Sequence, residues 1–215
     1  MSSQEPISAG ARIAAAALAG EVAAHYARLP PTRAVALGGS TTAGTASAGS
    51  DVDLYVYALP EIPIADRVRV ARAGASRCEI DNRFFELGDE WVDDATGLAV
   101  DVMFREPRWI EDQLDRVLVR HEATVGYSTC FWHNVRSSEL LFDRDGWFAA
   151  LKRRAEAPYP EPLRRAVVAK NHPLLRDHIS SFLRQVARAV ARGDAVSVTT
   201  GSRRCSRASS TSSLP

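Results

Sequence analysis

The residues best suited to chemistry are two glycines and a serine, followed closely by a pair of aspartates. Gly38, Gly39 and Ser40 come directly after the apolar run 34–37, which predicts a buried strand that leads into a turn. The glycines let backbone amides approach a phosphate, and Ser40 adds a hydroxyl that can also cap a helix. The turn therefore predicts a phosphate-binding site.

Asp51 and Asp53 lie on the next predicted strand, which covers residues 51–57. Because side chains alternate along a strand, both carboxylates fall on one face and Val52 and Leu54 fall on the other. Two like charges on one face repel each other, and a divalent cation would remove that repulsion. The alternative is a strand entry that carries two solvated acids.

A third acid, Asp101, sits in the middle of the apolar stretch 98–104. Strand alternation places Val100 and Val102 on the face opposite to Asp101. Taken alone, Asp101 is better explained as an exposed residue of a hairpin strand. Together with the aspartate pair and the glycine turn, it favours a site for divalent metal and phosphoryl chemistry.

These residues resemble the signature of the polymerase-beta-like nucleotidyltransferase superfamily. In that superfamily Gly-Ser is followed by a spacer, by Asp-x-Asp or Asp-x-Glu, and by a third carboxylate on a later strand. Gly39–Ser40, Asp51–Asp53 and Asp101 match in that order. The wider context at 85–105 and 146–147 is similar to an actinobacterial-type branch, and the resemblance covers about residues 30–195.

The resemblance implies a mechanism. Gly38, Gly39 and Ser40 would hold the phosphates of a nucleoside triphosphate, for which ATP is the expectation, and Asp51 and Asp53 would bind the magnesium ion that accompanies it. With Asp101 they would bind a second ion, which lowers the pKa of an acceptor hydroxyl. Asp101 is also a candidate to accept that proton. The hydroxyl would then attack the α-phosphorus and release pyrophosphate.

The composition argues against a strongly basic nucleic-acid-binding protein, a cysteine-ligated zinc protein, and a secreted or membrane protein. The 215 residues contain 27 basic and 26 acidic side chains and are 46% hydrophobic, so no overall charge favours nucleic acid. The three cysteines show no zinc spacing, and the odd count favours a reducing compartment. The Ala-rich N-terminus is too polar for a signal or membrane segment. These features predict a cytoplasmic protein without a membrane partner.

The predicted fold class is α/β, with a small mixed sheet of the nucleotidyltransferase type, flanking helices and a helical C-terminal part. The proline-rich stretch 158–162 predicts a linker. The predicted domains are an α/β domain at 1–157, a helical part at 163–196 and a disordered tail at 197–215. A strand is predicted near 83–85, and one helix from 174 to 192.

The tail prediction rests on a change of composition. From 197 onward the chain is rich in Ser, Thr and Arg and has no apolar periodicity, although members of the resembling superfamily continue with further helices. The sequence therefore predicts a truncated or frameshifted C-terminus from about Val198. The stripe of Arg184, Arg188 and Arg192 is interpreted as a solvated helix face rather than a nucleic-acid contact.

Two other functions stay open at this point. One is a non-catalytic nucleotide-binding or regulatory protein, and the other is an antitoxin-like nucleotidyltransferase that acts on a partner protein. The acceptor could be a small molecule, a protein or an RNA, because an acceptor surface has no transferable signature.

Overall fold

The structure is a computed structural model that describes residues 9–39, 51–84 and 86–210. The chain forms two compact units: the first contains Met1–Glu111 and Asn134–Glu156, and the second contains Asp112–His133 and Ala157–Pro215. The sequence division at 158–162 did not anticipate that residues 112–133 group with the C-terminal helices. No helix in the described part of the chain is both long enough and apolar enough to cross a membrane.

The first unit is built on a six-stranded mixed sheet, which makes the fold α/β as the sequence predicted. The strands are β1 (Thr32–Leu37), β2 (Val52–Ala58), β3 (Cys78–Asn82), β4 (Gly88–Val92), β5 (Ala99–Arg105) and β6 (Glu139–Asp143). Their order across the sheet is β3-β4-β5-β2-β1-β6. Only β2 and β5 run parallel to each other, and the other neighbours are antiparallel.

One face of the sheet packs on helices α1 (Ala9–Ala27) and α2 (Ile64–Arg72). Val52, Leu54 and Val56 point to this face and are completely buried. They are the alternate residues of β2 that strand periodicity assigned to the face without carboxylates. Their burial fixes the register of β2, since a slip of one residue would bring Asp53 into the apolar core.

Two strands differ from the sequence prediction. The strand expected near 83–85 lies at Cys78–Asn82 instead, where it forms the edge of the sheet, and Phe84 beyond it is exposed. Pairing with β4 decides its position more than the β-propensity of Phe84 does. Strand β6 at Glu139–Asp143 was not predicted, because its five residues do not alternate between apolar and polar side chains.

The other helices follow in chain order. They are α3 (Pro107–Leu118), α4 (Cys130–Ser137), α5 (Trp147–Ala155), α6 (Glu161–His172), a π-helical turn (Pro173–Asp177), α7 (Phe182–Ala191) and α8 (Ala195–Ser210). The single helix predicted from 174 to 192 is therefore wrong. The π-turn ends where His178 adopts an extended conformation, and α7 begins after Ser181.

In the second unit, Asn171 of α6 explains why the segment before α4 belongs with the C-terminal helices. Its buried side chain accepts a hydrogen bond from the Gly126 amide and donates bonds to the carbonyls of Thr124 and Val167. One amide group thus ties the loop around Gly126 to α6.

The prediction of disorder from residue 197 is wrong for the part of the tail that the structure describes, which is helical to Ser210. Two local contacts stabilise α8. Asp194 caps its N-terminus by accepting a hydrogen bond from the Ser197 amide. Gly201 is buried against α7, where an added Cβ would lie only 2.6 Å from Val186 Cγ2. Neither contact produces the apolar periodicity on which the prediction relied.

Candidate active site

The end of β1 brings the backbone of the glycine turn against β2. The Gly38 amide donates a hydrogen bond to the carbonyl of Asp53 at 2.9 Å. Gly39 has a φ of 70°, and a Cβ on it would lie 1.7 Å from Asp53 Oδ2. A Cβ on Gly38 would lie 2.3 Å from the ring of Tyr55. Glycine is therefore required at both positions, and the Asp53 carboxylate lies directly against the turn. Ser40 lies outside the described residues.

Asp53 and Asp101 are direct partners in the pairing of the parallel strands β2 and β5. Paired residues of neighbouring strands project to the same face, so both carboxylates lie on the face opposite to the apolar core. Each side chain is half-buried. Asp51 is exposed and immediately precedes β2. The structure therefore brings Asp53 and Asp101 together, with Asp51 close by in the chain.

The pKa values of these acids show that the carboxylates interact. Burial raises the pKa of Asp53, and the charge of Asp51 raises it further. The pKa of Asp101 is raised to about 6, first by burial and then by the charges of Glu90, Asp53, Asp51 and Glu86. Both raised pKa values reflect an energetic penalty on the ionised carboxylates. A bound cation would remove this penalty because it would neutralise their negative charge.

Sequence reasoning missed Glu90, which lies directly opposite Asp101 on the antiparallel pair β4 and β5. Glu79 of β3 is in turn the direct partner of Glu90. A row of four acids thus crosses four neighbouring strands on one face, in the order Glu79, Glu90, Asp101, Asp53. The exact pairing of β4 with β5 could not be read from the sequence, and only that pairing reveals the row.

A groove of about 320 Å³ opens beside Asp101 at the edge of the sheet where β2 and β5 begin. Its charged lining consists of four carboxylates and one guanidinium, from Asp51, Glu79, Glu90, Asp101 and Arg77. Trp91, Val100 and other apolar residues line the rest. The groove has room for part of a small organic molecule next to the paired aspartates.

Arg105, at the end of β5, lies on the same face of the sheet as Asp101. Its side chain is only 3% exposed, forms an ion pair with Glu86 at 2.9 Å and stacks on the ring of Tyr55 at 4.1 Å. Arg105 is therefore a paired charge, but a buried one rather than a surface one. Tyr55 is the residue that a Cβ on Gly38 would strike, so this packing also positions the glycine turn.

A buried ion pair lies on the opposite face of β4. Arg67 of α2 and Asp89 are both fully buried, and Arg67 Nε donates to Asp89 Oδ2 at 2.9 Å. The Arg67 guanidinium also stacks on Phe104 at 4.2 Å. Asp89 is thus a core residue next to Glu90. Near the hairpin, Asp93 accepts a hydrogen bond from the Thr96 amide within the turn, whereas Asp94 accepts one from the Ser76 amide outside it.

Carboxylate oxygens are the ligands that Mg²⁺ prefers, and the paired Asp53 and Asp101 supply them on one face. The absence of a Cβ at Gly39 lets the Asp53 carboxylate lie directly against the backbone of the turn. These features fit a divalent cation. Within residues 9–39, 51–84 and 86–210, however, no group of three or more His, Cys, Asp or Glu side chains is already close enough to hold a metal ion. One or two carboxylates are the usual protein ligands of Mg²⁺, with water and substrate phosphates completing its coordination.

Comparison with known proteins gives little further information. No protein-family model matches the chain, and no curated protein matches it. A solved structure, that of a nucleotidyltransferase-like protein from Exiguobacterium sibiricum 255-15, has 15% sequence identity and a TM-score of 0.38. The match covers 84% of this chain and 52% of the other, so the chain spans about half the length of that protein. A likeness of this size has no weight for function.

Proposed function

We propose that this protein is a metal-dependent nucleotidyltransferase that transfers a nucleoside monophosphate from a nucleoside triphosphate to a hydroxyl group and releases pyrophosphate. The observation that carries the proposal is the placement of Asp53. It lies beside Asp101 in the strand pairing and against Gly39 in the turn, so the carboxylates proposed as metal ligands adjoin the backbone proposed to bind phosphate.

In this proposal each residue has a defined task. The backbone around Gly38 and Gly39, with Ser40, binds the phosphates of the triphosphate. Asp51, Asp53 and Asp101 hold the magnesium ions. Bound magnesium would neutralise charge on the phosphates and lower the pKa of the acceptor hydroxyl. Asp101, at the mouth of the groove, accepts the proton of that hydroxyl.

The charge of the groove points to the kind of acceptor. Four carboxylates and a single guanidinium line it, so it repels anionic molecules and attracts cationic ones. An alcohol that also carries amino groups is the acceptor that this lining favours. Alcohols with phosphate or carboxylate groups would meet repulsion from Glu79 and Glu90.

Pyrophosphate release tests the proposal. The full chain is incubated with Mg²⁺, each of the common nucleoside triphosphates and a panel of cationic, neutral and anionic alcohols. We expect Mg²⁺-dependent release with at least one cationic acceptor, and its loss in Asp53→Asn. Asp112→Asn, which changes an exposed carboxylate of the second unit, is the matched control. Tight nucleotide binding without release by the wild type would instead support the non-catalytic nucleotide-binding alternative.

A further inference from the structure

A second groove, entirely within the C-terminal unit, has the opposite charge. It lies between α7 and α8 and has a volume of about 380 Å³. Its lining side chains are all basic or neutral: Gln185, Arg188, Arg192, Ser197, Thr200, Gly201 and Arg204. No carboxylate is among these lining residues.

The geometry of the helical hairpin creates this groove. Gln185, Arg188 and Arg192 are three and four residues apart on α7 and at its end, so they form one stripe. Ser197, Thr200 and Arg204 form a corresponding stripe on α8. Gly193, with a φ of 69°, lies in the turn between the helices. The two stripes therefore face each other across a narrow gap.

Gly201 sets the width of the gap. It is buried, and a Cβ at this position would lie 2.6 Å from Val186 Cγ2, so the two helices approach each other as closely as a glycine permits. Arg188 and Arg192 of α7 and Arg204 of α8 thereby line one groove, and all three side chains are exposed and accessible to a ligand. Arg184, Arg188 and Arg192 are exposed, in line with the solvated helix face interpreted from the sequence. Arg204 lies beside two of them because the chain after residue 197 is helical.

The donor types in the groove match phosphate. Guanidinium groups bind phosphate oxygens through two parallel hydrogen bonds, and hydroxyl and amide groups add further donors. Arg188 and Arg192 are separated by four residues, or about 6 Å along the helix axis, and Arg204 faces them from α8. Three guanidinium groups carry more positive charge than a single phosphate group, with a charge of about −2, can neutralise. We propose that this groove binds a ligand that carries two or more phosphate groups.

The binding test uses the full chain in EDTA at low salt. EDTA prevents metal-dependent binding at Asp53 and Asp101, so the result does not depend on whether the proposed function is correct. One probe is a fluorescein-labelled single-stranded RNA of about eight nucleotides, followed by anisotropy. Another is inorganic triphosphate, followed by calorimetry. Citrate is the phosphate-free anion. Either phosphate probe should bind more tightly than citrate, and the preferred one identifies a nucleic-acid strand or a free oligophosphate as the source.

Matched variants locate the site. Arg188→Gln and Arg204→Gln should each weaken binding about tenfold, because each removes a charge-assisted contact. Arg184→Gln and Arg203→Gln remove the same charge from exposed positions on the same two helices that do not line the groove, and they should change affinity by less than about twofold. Circular dichroism and thermal unfolding verify that all four variants are folded.

Three results would overturn the proposal. The first is absence of binding for both phosphate probes up to about 1 mM. The second is an equal loss of affinity in the groove variants and the control variants, which would indicate attraction to general positive charge. The third is equal affinity for citrate, which would remove the preference for phosphate.

Discussion

Glu90 and Asp101 lie directly opposite each other on β4 and β5, so two carboxylates occupy one cross-strand position. Like charges at such a position destabilise a sheet. This destabilising contact occurs at Asp101, which also pairs with Asp53 of β2 on its other side. The destabilisation is concentrated where the proposed reaction needs a cation, which is the pattern expected of a functional site rather than of a strand selected for stability.

Asp101→Asn should stabilise the metal-free protein above about pH 6. The folded-state pKa of Asp101 is raised from 3.8 to about 6, so its ionised form destabilises the fold. Below about pH 4 the carboxyl is protonated in the folded protein and causes no loss of stability. As the pH rises from there through 6, the carboxyl ionises in the folded protein and the free energy of unfolding falls. After discounting for solvent screening at this half-exposed position, the gain at pH 8 is about 1 kcal/mol, or roughly 2–4 °C in Tm.

Thermal unfolding in EDTA at pH 4 and pH 8 measures this effect. The difference in Tm between Asp101→Asn and the wild type should be near zero at pH 4 and positive at pH 8. Asp112→Asn, which changes an exposed carboxylate outside the row of acids, is the matched control. A variant that is less stable than the wild type at pH 8 would show that the charge of Asp101 is compensated within the protein.

Gly39→Ala should disrupt the candidate site more than its backbone strain alone explains. Gly39 has a φ of 70°, and its new Cβ would meet Asp53 Oδ2. Gly97 is a matched control, because its φ is 71° and nothing lies within 4 Å of an added Cβ. Gly97→Ala should cost about 1 kcal/mol from strain only. Gly39→Ala should cost more and should also displace Asp53.

Magnesium titration followed by calorimetry separates the two glycine variants. Gly97→Ala should bind Mg²⁺ as the wild type does, whereas Gly39→Ala should bind it at least about tenfold more weakly, equivalent to about 1.4 kcal/mol. Equal Mg²⁺ affinity in both variants would mean that the contact between Gly39 and Asp53 has no role in cation binding.

The paired aspartates could be predicted because their positions follow from strand alternation. Val52, Leu54, Val100 and Val102 require one face of each strand to be buried, which leaves Asp53 and Asp101 on the other. The partner of Asp101 on its other side could not be predicted in this way. Glu90 stands beside Asp101 only through the register of a hairpin, and register depends on pairing across the sheet.

The C-terminal helix shows a different limit of sequence reasoning. Its Ser, Thr and Arg residues carry no apolar stripe, so periodicity cannot reveal it. The helix depends on a cap from Asp194 and on contact at Gly201. Asp194 could have been recognised as a cap residue before a helix, but the packing of Gly201 against Val186 is a tertiary contact that composition does not record.

Asn171→Leu should destabilise the second unit, although leucine is similar in size and apolar. Asn171 is 2% exposed and satisfies the Gly126 amide and the Thr124 carbonyl. Leucine would leave these buried groups without partners, at a cost of about 1–3 kcal/mol for each unsatisfied group. Lys170→Leu, at the exposed neighbouring position, should change stability by less than about 0.5 kcal/mol. Urea unfolding of both variants measures the difference, and equal stabilities would show that water replaces the lost bonds.

Arg67→Met should be among the most destabilising substitutions in the first unit. It removes the partner of Asp89 and leaves a carboxylate that is fully buried on β4. Loss of one member of a buried ion pair costs about 3–5 kcal/mol. Arg69→Met, on the same helix, removes an exposed ion pair with Asp66 and should cost less than about 1 kcal/mol.

A double-mutant cycle distinguishes the ion pair from simple packing. If the cost of Arg67→Met arises from the unpaired charge of Asp89, then Arg67→Met combined with Asp89→Leu should recover much of the lost stability, because no buried charge remains. Denaturant unfolding of the wild type, both single variants and the double variant gives the coupling free energy. Additive losses would show that the stacking of Arg67 on Phe104, rather than its charge, holds α2 against the sheet.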